Sequence, residues 1–258
     1  MVPLNYAVAS SVGFYSGADT LDLTDNDVIS AARFYWKQIY AAITISRLDE
    51  LKNSGDAAKV NFVKSKVEIA EKSLKEIMGD AVFNAGTDAK ALLGIRSFID
   101  TTKTYGGIDQ SANSWWAAQV DSATATLTIP ALQAKFGDAT FGSEHPTIII
   151  SDQDKYDLYY ALLQPQQRFM DSDSAKGGFQ SLIFNGIVWM VDQKSPSNHI
   201  FMLNEDYIDL YVHKDENMRM MPFESPLNQN IKVAKIFWMG ELCSSNNRVH
   251  AKLSAITA

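Results

Sequence analysis

The sequence lacks most features that mark membrane, secreted or fibrous proteins. A long apolar stretch, residues 182–191, is interrupted by Asn185 and Gly186 and is shorter than the roughly 20 residues that a membrane helix needs. No basic region followed by an apolar one stands at the N-terminus, so no secretory signal is predicted. The single cysteine, Cys243, cannot form an internal disulfide, which favours a reducing compartment. With 14 glycines and 7 prolines, the composition excludes collagen-like and linker-like chains.

Basic residues are in the minority. The chain has 23 Lys and Arg against 30 Asp and Glu, a net charge of -7. Sequence-specific binders of DNA or RNA normally present a basic face to the phosphates, so the composition argues against such recognition. Nucleic acid enclosed as packaged contents stays compatible, because a shell needs no tight contact with phosphates. The 258 residues, 46% hydrophobic and 21% charged, fit one large soluble domain or two small ones.

Motifs for catalysis and metal binding are missing or incomplete. The four histidines lie far apart and no Cys-x-x-Cys pair occurs, so no zinc site is predicted. The stretches Asp152–Asp154 and Asp171–Asp173 begin like calcium loops but lack the required glycine. Residues Gly137–Gly142 have the glycine spacing of a phosphate loop without its lysine. Cys243 is expected to be a small buried hydrophobe and not a nucleophile. We predict no catalytic, cofactor-binding or metal-binding residue.

The first 46 residues are predicted to form a long hairpin. Two strand-like runs, Val2–Tyr15 and Ile29–Ser46, are joined by a turn at Ser16–Asp19 and an acidic stretch. Alternating aromatic and β-branched residues in the second run favour a strand, although its alanines keep a helix over 27–50 open. A two-stranded ribbon is marginally stable alone. Because both faces are apolar here, we expect the ribbon to pack on something else, such as a neighbouring subunit.

An amphipathic helix is predicted to follow, with Asp56 at its N-cap and Gly79 at its end. Its apolar residues recur at spacings of three and four: Val60, Val63, Val67, Ala70, Leu74 and Ile77. The stripe lasts only about three heptads, which favours one helix lying on a sheet over a coiled coil.

The rest of the chain separates helices from strands. A shorter helix is predicted over Asp88–Asp100, then a loop from Thr101 to Ser114, a strand at Pro146–Ile150 and a helix from Ser151 to about Pro165. The last third is strand-rich, with strands predicted over Phe179–Trp189, Ile200–Leu203, Ile208–His213 and Ile231–Leu242. This segregation predicts an α+β fold and not a doubly wound parallel one.

Short motifs stand in a fixed order along nearly the whole chain. They are Gly17–Asp22, Tyr35–Gln38, Ile45–Leu48, Leu51–Gly55, Thr104–Asp109, Trp115–Trp116, Leu163–Arg168, Leu203–Asn204 and Gly240–Ser244. Taken together, these motifs resemble the major capsid proteins of tailed bacteriophages. The resemblance depends on the order of many weak motifs and not on one diagnostic spacing.

The resemblance implies the Hong Kong 97-like capsid fold, an α+β fold that encapsulin shells share. It implies that residues 1–46 form the E-loop hairpin and that 47–145 form the P-domain, which includes the spine helix 56–78. Residues 146–225 would form the A-domain, and 226–258 would return to the P-domain.

The resemblance also implies a function. The chain is expected to be a non-enzymatic virion protein, assembled in the host bacterial cytoplasm into hexamers and pentamers of an icosahedral shell. Its expected partners are copies of itself, packaged double-stranded DNA bound without sequence specificity, and portal, scaffolding or decoration proteins, with no cofactor and no membrane. Two alternatives stay open: an encapsulin-like nanocompartment shell protein, and a soluble enzyme that uses the acidic and histidine residues of 205–216.

Aromatic residues are the candidates for contacts between subunits. They are Phe34, Tyr35, Trp36, Tyr40, Trp115 and Trp116. The first four lie in the predicted ribbon, while the adjacent pair cannot point the same way in a strand, so one of the two is free to anchor an interface. In the alternative interpretation, half of the ribbon aromatics pack on the spine helix of their own subunit.

Overall fold

The computed structural model describes residues 1–7, 11–21, 24, 28–53, 56–123, 126–167 and 182–256. The helices are α1 (Arg47–Lys52), α2 (Asp56–Val82), α3 (Ile95–Phe98), α4 (Ile129–Ala139) and α5 (Gln153–Gln167). The strands are β1 (Val2–Asn5), β2 (Ile29–Ala32), β3 (Lys37–Ser46), β4 (Thr104–Tyr105), β5 (Ile108–Asp109), β6 (Gln119–Asp121), β7 (Ile148–Ser151), β8 (Ile183–Phe184), β9 (Ile187–Val191), β10 (Ile200–Leu203), β11 (Ile208–Val212), β12 (Arg219–Met220), β13 (Ile231–Ser244) and β14 (Ala251–Leu253). The fold is α+β, as the sequence predicts.

A six-stranded sheet in the order β6-β14-β10-β7-β9-β8 forms one layer. It is mixed, because β14 pairs with β6 and β7 pairs with β9 in parallel, while the other neighbours are antiparallel. Helices α4 and α5 supply apolar residues to the core on this sheet, among them Leu132 and Tyr159. The Tyr159 ring stacks on Trp189 of β9 with 4.5 Å between ring centroids. A stacked aromatic pair of this kind contributes about 0.5–1.5 kcal/mol beyond its buried area.

A four-stranded sheet carries the long helix. Its centre is β13, which pairs with β11 and β12 along one side and with β3 along the other. The β3–β13 ladder runs over ten residues, from Lys37 opposite Gly240 to Ser46 opposite Ile231. Helix α2 packs on the sheet through a shared cluster that includes Leu74 of the helix and Trp238 of β13. A single amphipathic helix on a sheet is therefore confirmed.

The predicted end of this helix is wrong. Helix α2 continues past Gly79 to Val82, and Gly79 does not adopt the positive φ of a helix C-cap; the first glycine that does is Gly86. Near the end of the helix, Met78 packs against the cluster on the sheet. Ile77, which was predicted to belong to the apolar stripe, is 51% exposed. The side chains of the predicted residues Asp56 and Val60 lie outside the described ones.

The predicted long hairpin is also corrected. Among the described residues, strand pairing within the hairpin is confined to β1 and β2, with Val2 opposite Ala32. The chain leaves this ladder at Arg33, whose N–H donates to the carbonyl of Gly106 at 2.8 Å, and then enters the other sheet as β3. The run from Ile29 to Ser46 is thus two strands in two sheets, because each half finds a different backbone partner.

Other predictions were too long or missed. The helix expected over Asp88–Asp100 is reduced to α3, because Gly94 takes an extended conformation beside the end of α2. A Cβ on Gly94 would stand 2.4 Å from the amide nitrogen of Asn84. Helix α4 was missed, although Thr128 caps it by accepting the N–H of Ala131. The short strands β6, β12 and β14 were also missed, and residues 179–181 of one predicted strand lie outside the described part.

One predicted domain contributes strands to both of the larger sheets. Residues 146–225 supply β7 to β10 of the six-stranded sheet and also β11 and β12 of the four-stranded sheet. The six-stranded sheet in turn includes β6 and β14, which lie outside that segment. The domain limits drawn along the sequence remain a prediction.

Candidate subunit interface

The segment that follows β1 has little contact with its own chain. All residues from 11 to 21 are exposed, and the Phe14 side chain is fully so. A Cβ placed on Gly13 or Gly17 would meet no atom within 4 Å. Its large apolar side chains are Val12, Phe14, Tyr15 and Leu21, and such side chains exposed together are typical of a surface that binds another molecule.

The base of the ribbon is fixed to the body of the protein. Leu4 of β1 and Ala32 of β2 are buried in the cluster that lies between the two large sheets. Next to β1, the Tyr6 ring stacks on Trp115 with centroids 4.7 Å apart. The ribbon is therefore anchored at one end, while its described tip projects into solvent.

Two of the six candidate aromatics are used inside their own chain. Trp116 is 1% exposed, and its indole N–H donates to the carbonyl of Tyr105 at 3.0 Å. Phe34 is half-buried, with its ring 5.1 Å from that of Tyr105. Trp116 offers no surface to a neighbour in this conformation, so we drop it from the contact set. Phe34 packs within its own chain, against a cluster to which α2 contributes no described residue.

The other four candidates present aromatic surface. Tyr35 is 74% and Tyr40 67% exposed, and Trp36 is exposed with its ring edge-to-face to His213 at 5.6 Å. Trp115 is half-buried beneath Tyr6. The alternation of β3 explains Tyr40: its odd-numbered residues face α2, whereas its even-numbered residues face outwards.

A groove beside Trp115 was missed from the sequence. It measures about 670 Å³, and its lining includes Tyr6, Phe141 and Arg248. The guanidinium of Arg248 lies over the Phe141 ring, 4.8 Å from the centroid. Its buried Nε has no hydrogen-bond partner among the described residues. These residues are more than 100 positions apart, and no local pattern in the sequence indicates the contact.

One buried serine and histidine resemble a nucleophile and its base. The Ser244 hydroxyl lies 3.2 Å from Nε2 of His250, and Nδ1 of the same ring accepts the N–H of Asn204 at 3.1 Å. Nδ1 is thus the acceptor, so in the neutral ring Nε2 carries the proton and donates to the hydroxyl. Complete burial lowers the pKa of His250 to about 3. The His250 ring links the end of β10 to the start of β14 through its hydrogen bond with Asn204. With a proton on Nε2, the ring cannot accept the proton of the serine hydroxyl.

Three further ionisable groups, Cys243, Glu241 and His213, have surroundings set by burial or by backbone hydrogen bonds. Burial raises the pKa of the Cys243 thiol to about 12, which keeps it protonated. Burial likewise raises the pKa of Glu241, whose Oε1 accepts the N–H groups of Leu93 and Leu242 at 2.8 and 3.2 Å. His213 lies in a turn where its Nδ1 accepts the N–H of Asp215. Over the ranges that the structure describes, no group of three or more possible ligands could hold a metal ion.

The described helices differ from membrane-spanning ones in length or composition. None of them is both long and apolar enough to span one.

The sequence by itself has no match, since no family model and no curated protein match it. The structure, in contrast, is similar to chains of several capsids and shells. It matches a chain of the cyanophage A-1(L) capsid asymmetric unit at 14% identity and a TM-score of 0.73, covering 99% of this chain and 87% of that one. A chain of the native GTA particle capsid matches at 11% identity and TM-score 0.67, over 99% and 84%.

A shell of another kind is also similar. A chain of the holo-SrpI encapsulin complex from Synechococcus elongatus PCC 7942 matches at 10% identity and a TM-score of 0.59, over 92% of this chain and 78% of that one. The chain therefore has the fold of shell-forming proteins. That fold is the Hong Kong 97-like capsid fold of tailed-phage capsid proteins.

Proposed function

We propose that this chain is a major capsid protein, which self-assembles into hexamers and pentamers of an icosahedral shell around double-stranded DNA. One observation carries the proposal: the segment 11–21, which includes the large apolar side chains of Val12, Phe14, Tyr15 and Leu21, is exposed along its whole length. In a closed shell this segment lies on a neighbouring copy, which removes its apolar surface from water. The ribbon within residues 1–46 then acts as the E-loop.

Closed symmetry explains how modest contacts suffice. Each copy repeats the same contacts with its neighbours, so the shell sums many interfaces that would be weak in isolated pairs. Tyr35, Trp36, Tyr40 and Trp115 are the proposed contact residues, because each presents ring surface next to the ribbon. Aromatic side chains supply a large apolar area at low conformational entropy cost and are enriched at such interfaces.

The contents and further partners follow from the same proposal. The net charge of -7 fits a wall that contacts packaged DNA without sequence-specific binding. Portal, scaffolding and decoration proteins are the other partners that we propose, and the bacterial cytoplasm is the site of assembly. The fold supports a structural role without catalysis. The Ser244–His250 geometry also supports it, because Nδ1 of His250 accepts the N–H of Asn204 and the nitrogen that faces Ser244 therefore carries the proton.

The encapsulin-like alternative is favoured by one observation, the similarity to the holo-SrpI encapsulin chain. Such a shell would have the same contacts between copies and an enzyme cargo in place of DNA. The higher TM-score to the cyanophage A-1(L) capsid chain, 0.73 against 0.59, favours the virion. Analysis of nuclease-treated particles separates the two, because a virion retains protected DNA and a nanocompartment retains a second protein.

Sedimentation velocity tests the proposal without knowledge of the contents. We expect megadalton particles from the purified protein, in equilibrium with capsomers at low concentration. A soluble enzyme that uses residues 205–216 would instead sediment as a monomer or a small oligomer, and that result would contradict the proposal.

A further inference from the structure

Strand β3 lies at the edge of the four-stranded sheet. The hydrogen bond just beyond its last residue shows which of its residues point their backbone N–H and C=O groups towards β13. The N–H of Arg47 donates to the carbonyl of Asn230 at 3.1 Å, one step beyond the pair of Ser46 and Ile231. Hydrogen-bonded pairs alternate along an antiparallel ladder, so the odd-numbered residues of β3 point their backbone groups to β13. Val233, opposite Thr44, confirms this, because it exchanges two hydrogen bonds with Glu224 on the far side of β13.

The even-numbered residues of β3 therefore point their backbone groups away from the sheet. Over the described ranges, no backbone N–H or C=O of these residues is hydrogen-bonded, and the residues concerned are Gln38, Tyr40, Ala42 and Thr44. All four side chains are exposed. A regular row of unpaired donors and acceptors is a template for another strand.

This edge has none of the features that usually protect an open edge. Proteins prevent unwanted pairing with charged residues, proline, bulges or very short edge strands. Residues 38–46 contain no charge, no proline and no glycine, and β3 pairs with β13 without interruption over ten residues. An edge of this length without protection is expected to have a partner.

The segment 11–15 also has unpaired backbone groups. Its residues are exposed, and Ser11 to Tyr15 make no backbone hydrogen bond within the part of the chain that is described. Val12 and Phe14 alternate with smaller or polar residues, a pattern that suits a strand. Five residues in a strand span about 17 Å, which fits within the free edge from Gln38 to Thr44.

We propose that residues 11–15 of a second copy of this chain add to β3 as a further strand of the four-stranded sheet. The inference rests on the proposed self-assembly and specifies one of its contacts. The free N–H and C=O groups of both segments pair with each other, and alternate side chains of the added strand lie beside Tyr40 on the outer face. Strand addition of this kind takes its affinity from main-chain hydrogen bonds and its specificity from alternate side chains.

Ala42→Pro tests the pairing. Proline removes an N–H that points to solvent in the subunit, so the sheet keeps its internal hydrogen bonds and the subunit remains folded by circular dichroism. We expect at least a tenfold loss of particles. The matched variant Ala42→Val keeps the N–H and should give at least ten times more particles than Ala42→Pro. Equal assembly of the two variants would overturn the proposal.

Amide hydrogen exchange of the unmodified protein covers the case in which Ala42→Pro does not fold. The amides of Tyr40, Ala42 and Thr44 should exchange rapidly in dissociated subunits and at least a hundredfold more slowly in particles. Particles in which these amides exchange as fast as in subunits would overturn the strand addition and leave the proposed function intact. Failure of the unmodified protein to form particles would overturn both.

Cysteine cross-linking identifies the added strand. Copies that carry Phe14→Cys or Val12→Cys are assembled together with copies that carry Tyr40→Cys. The native Cys243 is buried in the subunit and should not take part in the cross-linking. We expect a disulfide between position 40 of one copy and position 12 or 14 of another. A disulfide formed between two Tyr40→Cys copies would show edge-to-edge pairing of two β3 strands and overturn the proposed occupant.

Discussion

Tyr40 lies directly opposite Phe237 in the ladder between β3 and β13, and both side chains are on the face of the sheet that α2 does not cover. Two thirds of Tyr40 is exposed. The sheet thus buries one face within its own chain and leaves an aromatic pair on the other. A half-covered sheet is stable in a subunit and still presents apolar surface for assembly.

Tyr35→Asp should separate folding from assembly. The side chain is largely exposed, so the change leaves the free energy of unfolding within about 0.5 kcal/mol of the original. A carboxylate buried between two copies without a partner would cost several kcal/mol, which should abolish particles. Tyr35→Phe, the matched control, keeps the ring surface and should assemble far better. Normal particles from Tyr35→Asp in electron micrographs would remove Tyr35 from the interface.

Leu74→Ala should destabilise the subunit, because Leu74 is fully buried between α2 and the four-stranded sheet. We expect a loss of about 2–5 kcal/mol in urea unfolding of dissociated subunits. Ile77→Ala on the same helix is the control, with an expected change below about 0.5 kcal/mol because the side chain is half exposed. Equal losses for the two variants would contradict the observed orientation of the helix.

Gly240→Ala should also be unfavourable. A Cβ at this position would lie 2.5 Å from the Trp238 ring and 2.6 Å from the carbonyl of Tyr211. The backbone of the central strand would have to move, at a cost of about 1–3 kcal/mol. Gly137→Ala meets no atom within 4 Å and lies in α4, so thermal unfolding should show a gain of about 0.5–1 kcal/mol. An unchanged midpoint for Gly240→Ala would show that the Trp238 ring is placed elsewhere.

His250 should make the subunit less stable in mild acid. Its pKa of about 3 in the folded state lies below the ordinary value of 6.5, so below pH 6.5 the unfolded chain binds more protons. Stability therefore falls by about 1.4 kcal/mol per pH unit between these two values, a loss of about 2 kcal/mol at pH 5.

His250→Asn removes this titration and leaves an oxygen that can accept the N–H of Asn204. Denaturant unfolding between pH 7 and pH 5 should show a smaller loss of stability for the variant than for the original protein. Parallel pH profiles would mean that other groups cause the acid sensitivity.

The sequence predicted the elements whose patterns are local. Helix α2 and strand β10 could be found because their apolar residues repeat or cluster within a few residues. The end of α2 could not, since whether Gly79 or Gly86 adopts a positive φ depends on the packing of the following turn. The break at Arg33 was equally hidden, because its hydrogen bond goes to Gly106, far along the chain.

The contact residues remain a prediction, but the structure shows which of the candidate side chains are exposed. Exposed Tyr35 and Tyr40 belong to the aromatic run that the sequence singles out, whereas Trp116 turned out to lie inside the core through its hydrogen bond to Tyr105. The free edge of β3 does have a signal in the sequence, the uncharged stretch 38–46. That signal becomes informative only when the structure shows that no strand of the described part of the chain pairs with this side of β3.

Electron microscopy of the purified protein tests the central claim most directly, because it shows whether copies of this chain close around a lumen. We predict hollow shells of uniform diameter with sixfold and fivefold capsomers. A field of dispersed particles of tens of kilodaltons, at concentrations where capsomers should associate, would contradict the account.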